Sequence, residues 1–188
     1  MSATAQIVNP QSLSDNKTKR QSGDTMNTTL WIVQVLSGVF WSVTGFGKIL
    51  MFNQALWEQA RHDVAWFSAV PQQLFIFIGV CEFLGGLGLI LPAMTGIKPK
   101  LTPFAAIGLT LVMILAAGFH IARGEYYFLP TNLVLGGVAT FIAYGRLFLS
   151  PIAPASVASV RILKGLAVLA ALLLLGFAPV WYTMTHIH

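Results

Sequence analysis

Five apolar runs, near residues 30–51, 71–91, 101–121, 130–148 and 162–184, dominate this sequence. Each approaches the roughly 20 residues that carry an α-helix across a bilayer. Period-2 alternation is missing from all of them, and hydrocarbon demands segments whose backbone hydrogen bonds close internally. The fold class is therefore all-α: a polytopic membrane helical bundle, with a four-helix core and a fifth C-terminal transmembrane helix. Composition agrees, because only 9% of the 188 residues are charged while 56% are hydrophobic. A soluble domain carries about 25% charged residues. Such a surface suits lipid, not water.

Three regions are expected. Residues 1–27 are polar, with no apolar core or cleavage pattern of a secretory signal, and read as a disordered cytoplasmic tail. Met26, just before the first apolar run, offers an alternative start. Residues 28–150 form the four-helix bundle, and 151–188 a linker and the fifth helix. Between the first two spans, Leu56, Trp57, Ala60, Val64 and Phe67 share one helical face, with Gln54, Glu58, Arg61 and His62 opposite. That pattern predicts an interfacial helix near 54–68. Pro71, Pro103 and Pro130 fall near span starts, where a missing N–H costs little, and Pro92 and Pro151 are read as following span ends.

The net charge of +5 does not point to nucleic acid, because the basic residues are spread over span ends rather than gathered on one polar surface. They set orientation instead. Lys17, Lys19, Arg20, Lys98, Lys100, Arg146, Arg161 and Lys164 fall on one side, against Lys48, Arg61 and Arg123 on the other. The excess predicts an inner-membrane protein with its N-terminus cytoplasmic and, after five spans, its C-terminus outside. The outer side then holds Glu58, Asp63, Glu125 and all four histidines, His62, His120, His186 and His188. The many span glycines predict close helix packing.

A few residues carry candidate chemistry. Glu82 lies deep in the second span, where an ionisable group is by default functional and partnered; the alternative is a protonated carboxyl that only fixes the bundle. Lys48, near the outer end of the first span, either snorkels or pairs with Glu82. Side chains tilt toward their helix N-terminus, so on antiparallel helices these two lean together, which favours pairing. His120, Arg123 and Glu125 close the third span, and Asn132 opens the fourth as a helix cap or a ligand contact. His120 is the one histidine within a span, so a bis-histidine haem inside this chain is not expected, and no metal-ligand spacing occurs. The single cysteine, Cys81, forms no intrachain disulfide or dithiol relay and is read as a small core residue.

The segments LWIVQVLSGVFWSVTGFGKI from Leu30, CEFLGGLGLILP from Cys81, LTPFAAIGLTLVMILAAGFHIARGE from Leu101 and NLVLGGVATFIAYGR from Asn132 resemble the DoxX-like membrane protein family. G-x-x-K, E-x-L-G-x-x-G-L-I-L-P and H-x-x-R-G-E occur in the family's order, placing its motif positions on Lys48, Glu82, His120, Arg123 and Glu125. The likeness covers about residues 30–146, so the tail and fifth span depart from it. It implies a four-helix DoxX-like core. The family takes its name from a subunit of a thiosulfate:quinone oxidoreductase, and other members are linked to thiol or oxidative-stress systems through partner proteins.

Three functions compete. The first is a membrane subunit or adaptor of a larger, redox-linked complex, with lipid and other membrane subunits as partners and no intrinsic cofactor. The second is a quinone-linked oxidoreductase subunit, in which Lys48 and Arg123 attract a small anion such as thiosulfate, Glu82 carries protons and quinone is the implied cofactor. The third is a small-molecule permease, which the lack of internal repeats and broken helices disfavours. Whether the chain is itself catalytic stays open between them.

Overall fold

Antiparallel helix pairing follows from which residues meet. In the computed structural model, which describes residues 10–154, five α-helices form: α1 (Pro10–Ile49), α2 (Gln54–Asp63), α3 (Gln72–Thr95), α4 (Leu101–Ala122) and α5 (Leu129–Tyr144). Four helical stretches, Asn16–Phe52, Gln72–Thr95, Leu101–Ala122 and Tyr126–Leu149, are long and apolar enough to cross a membrane. A Cβ on Gly38 would meet Ile90 and one on Gly45 would meet Phe83; Gly85 faces Leu109 and Gly88 faces Ala105; Gly136 faces Met113 and Thr140 reaches Thr110, so successive spans run in opposite directions. The result is an up-down-up-down bundle, with its most extensive contact between α1 and α3. Trp41, Leu89, Ile90, Leu109 and Ile142 form its core. Leu36, Phe77, Leu115 and Leu133 are exposed on its sides, as lipid-facing groups should be.

The structure corrects the tail. Residues 10–27, expected to be disordered, continue α1 without a break. Helix nucleation is the costly step, and the adjoining transmembrane helix has already made it. Thr25, Thr28 and Thr29 each return their hydroxyl to the carbonyl four residues back, so their polar groups do not compete with the helix. Residues 1–9 and the fifth span, with His186 and His188, lie outside the described residues.

Two further boundaries differ. Pro92 falls inside α3 rather than after it; the helix runs one more turn to Thr95 and stops at Gly96, whose φ of 71° suits glycine. The interfacial segment is shorter than 54–68: α2 ends at Asp63, and a 3-10 turn covers Phe67–Ala69. Its faces are those the spacing predicts, with Trp57 buried and Glu58, Arg61 and His62 exposed. Asn53 caps α2, its Oδ1 accepting from the N–H groups of Ala55 and Leu56. Trp57 then packs on Phe67 and Phe75, which draws this segment over one end of the bundle. That end is called the α2 end below.

Candidate functional site

Small residues bring α1 and α3 together, and this contact positions the first functional pair. A Cβ on Gly79 would lie 2.6 Å from Lys48 Cβ and 2.8 Å from the Gly45 carbonyl, and one on Gly86 would lie 2.6 Å from the Gly38 carbonyl. Backbones at this separation leave no layer of side chains between them. Glu82, one turn beyond Gly79, therefore projects directly beside Lys48. Lys48 Nζ donates to Glu82 Oε2, and the two form an ion pair. Glu82 sits ten residues into α3, about 15 Å along the axis at 1.5 Å per residue. Its side chain is 3% exposed and that of Lys48 is 21%. Pairing, not snorkelling, is the arrangement found.

The end of α4 builds the second group. The chain leaves α4 through Arg123 and Gly124, the latter at φ 72°, and turns Glu125 back toward the helix. There the Glu125 backbone N–H donates to the His120 carbonyl at 2.9 Å. Its carboxylate oxygens then divide between two cations or donors: Oε2 lies 2.8 Å from His120 Nδ1, and Oε1 accepts from Arg123 Nε at 2.8 Å. Burial opposes ionisation of Glu125, but the hydrogen bonds and charges of His120 and Arg123 outweigh it and hold the carboxyl below its usual range. The imidazole is enclosed by rings, with Phe128 at 4.3 Å, Phe119 at 5.3 Å and Trp66 edge-on at 5.7 Å between centroids.

A cavity of about 960 Å³ joins these groups. Lys48, Glu82, His120 and Asn132 line its polar part, and Cys81 lines it too, so this cysteine is not merely core. Its apolar wall includes Phe77, Leu84, Leu111 and Leu115 of α3 and α4, which are also exposed on the bundle side. The space therefore runs from a polar interior to the lipid-facing seam between α3 and α4. Arg123 and Glu125 do not line it; they stand behind His120. Asn132 does not cap its helix, because α5 starts at Leu129 after Phe128 and carries Pro130 in its first turn. Instead its Nδ2 is buried without a hydrogen-bond partner, on the cavity wall. Among the described residues no group of three or more His, Cys, Asp and Glu side chains is placed to hold a metal ion.

One polar cluster escapes the sequence reading. At the opposite end of the bundle Arg146, assigned there only as a basic residue at a span end, is buried in a π-helical turn, Gly145–Leu149. Its Nε donates to Gln34 Oε1 at 2.7 Å, its Nη1 to Asn27 Oδ1 at 2.8 Å, and its guanidinium lies 4.9 Å from the Trp31 ring centroid. Gln34 Nε2 in turn donates to the Leu89 carbonyl at 2.7 Å. This latch ties the fourth span to α1 and α3, where helix contact is otherwise slight. Gln34 in the run LWIVQVL was the available signal, as a polar group in an apolar stretch.

An antiparallel membrane bundle with paired charges and a side-opening cavity is thus the class of protein that fold and site define. The model of the DoxX-like family matches residues 32–142, and the chain belongs to that family. The match covers the first four spans almost entirely. No curated protein and no solved structure matches the chain.

Proposed function

We propose that this protein binds an isoprenoid quinone in the cavity beside Lys48 and Glu82, as the membrane subunit of a redox-linked complex. One observation carries the reading: a single cavity joins a lipid-exposed apolar wall to a polar end. A molecule with a long apolar tail and an oxygen-bearing ring fits both parts, and it reaches them from the bilayer. Asn132 supports the fit, since its Nδ2 lacks a hydrogen-bond partner and a rotation of its side chain on the cavity wall offers it to a ring carbonyl. A purely structural polar cluster needs no such space.

The anion half of the oxidoreductase reading has less support. Lys48 and Arg123, expected to draw in thiosulfate, are each bound to a carboxylate, so their charge is already met. Electrons would then come from a partner subunit rather than from an anion on this chain. The basic-residue excess places the N-terminus on the cytoplasmic side in this proposal, and the quinone site in the outer half of the membrane.

Titration of the full-length protein in detergent with decylubiquinone tests the reading, because Trp41 and Trp66 line the cavity and report occupancy by quenching. Saturable binding at one site is expected. The same ring without its alkyl tail should bind at least about tenfold more weakly, since a factor of ten needs only about 1.4 kcal/mol and a long tail buries more than that. Quenching that rises with micellar quinone and never saturates would overturn the proposal.

A further inference from the structure

His120 differs from the other polar groups of the cavity in how it is held. One ring nitrogen is engaged by a carboxylate, and the opposite one, Nε2, makes no hydrogen bond among the described residues. Glu125, ionised below the usual carboxylate range, accepts from Nδ1–H and so selects the tautomer whose Nε2 carries a lone pair. Exposure rises along the chain of contacts: the side chains of His120, Glu125 and Arg123 are 7%, 15% and 34% exposed. A buried imidazole that faces a cavity is thereby connected to the water at the α2 end. Glu82 differs in that its partner is a cation: its carboxylate is already met by the Lys48 ammonium.

We propose that His120 is the residue through which the cavity exchanges protons with its ligand, with Glu125 as the residue that positions the imidazole and leads the proton to water. The inference rests on the proposed binding of a ligand whose ring carries oxygen. In the outward direction the ligand's O–H bond breaks as the Nε2–H bond forms. This leaves an oxyanion and an imidazolium whose charge Glu125 offsets. Water at the α2 end then takes the Nδ1 proton beside the still-ionised Glu125, which returns the ring to neutrality as the Nε2–H tautomer, and exchange with water restores Nδ1–H before the next transfer. The reverse sequence supplies a proton to a ligand oxygen. The charged and titratable groups around the ring are Glu125 and Arg123 behind it and Lys48 and Glu82 across the cavity; Asn132, Trp66, Phe119 and Phe128 complete its surroundings. The Lys48–Glu82 pair is near neutral as a unit.

The test uses the full-length protein in detergent and a 2-hydroxy-3-alkyl-1,4-naphthoquinone, whose hydroxyl changes colour on ionising, beside decylubiquinone, which has no ionisable group. In the wild type the bound hydroxyl should ionise readily. His120→Gln should raise its midpoint by about one pH unit, a tenfold change in proton affinity. Glu125→Gln should move it the same way, and Glu125→Asp should restore most of the shift. Thermal unfolding of each variant close to that of the wild type shows that it folds, and Trp quenching by decylubiquinone shows that it still takes up a quinone. An unchanged midpoint in His120→Gln with decylubiquinone still bound would overturn the proposal. If neither quinone binds the wild type, the quinone reading fails separately, and a ligand-free measurement decides the role of His120. Trp66 lies against the imidazole, so protonation of the ring should quench its emission, and the effect should vanish in His120→Gln and in Trp66→Phe. Trp66 emission that does not change with pH would overturn the inference with no ligand involved.

Discussion

Glu82→Gln in the full-length chain should lower the unfolding free energy by about 3 kcal/mol, and adding Lys48→Met should recover most of that loss. The single change leaves an ammonium in the bundle with no carboxylate, and restoring neutrality by the second removes that burden. The estimate sits at the low end of the range for buried pairs because the Lys48 side chain keeps 21% exposure, where water and headgroups reach it. Lys48→Met alone should be at least as harmful, since Glu82 is the more deeply buried partner. The readout is thermal or denaturant unfolding of all four proteins in one detergent. Additive losses would show that the two charges act separately.

Gly86→Ala should be more damaging still, and its effect isolates the backbone contact that creates the site. The new Cβ would stand 2.6 Å from both the Gly38 carbonyl and the Ser42 nitrogen, which are backbone atoms and cannot swing aside. The helices must separate, at a cost of about 3 kcal/mol or more, the upper end of the overpacking range. Glu82 is one turn before Gly86 on the same helix, so the separation also draws it from Lys48. Gly137→Ala provides the contrast. Nothing lies within 4 Å of the added methyl there, and the mid-helix exchange should be neutral or stabilise by up to about 1 kcal/mol. Equal losses at both glycines would mean that the close α1–α3 approach does not support the bundle.

The first four spans and the Lys48–Glu82 pair are legible because each rests on short-range regularities. Apolar length identifies a membrane helix, and the tilt of side chains on opposed helices says which two charges lean together. The α2 faces were legible for the same reason. What the sequence hid depends on distant contacts or on propagation along a helix. Residues 10–27 look unstructured by composition, yet they extend a helix nucleated by residues far more apolar than themselves. Gln34 and Arg146 are 112 residues apart, and neither alone reveals the latch. Asn132 is no helix cap because α5 begins three residues earlier, which puts it inside the first turn and on the cavity wall. The cavity itself is lined from four helices, with Phe40 of α1 and Leu135 of α5 among its residues, and no local pattern encodes such an assembly.

Photolabelling of the full-length protein in lipid bilayers addresses the central claim most directly. A quinone carrying a photoreactive group on its tail, followed by mass spectrometry of the peptides, reports where the molecule lies. The proposed site predicts adducts on the cavity-lining sides of α3 and α4, within residues 77–85 and 108–116, and decylubiquinone in excess should suppress them. Labelling spread over the lipid-facing surface, reaching exposed positions such as Leu133 and Val134 as readily and unaffected by competitor, would contradict a quinone site in this bundle.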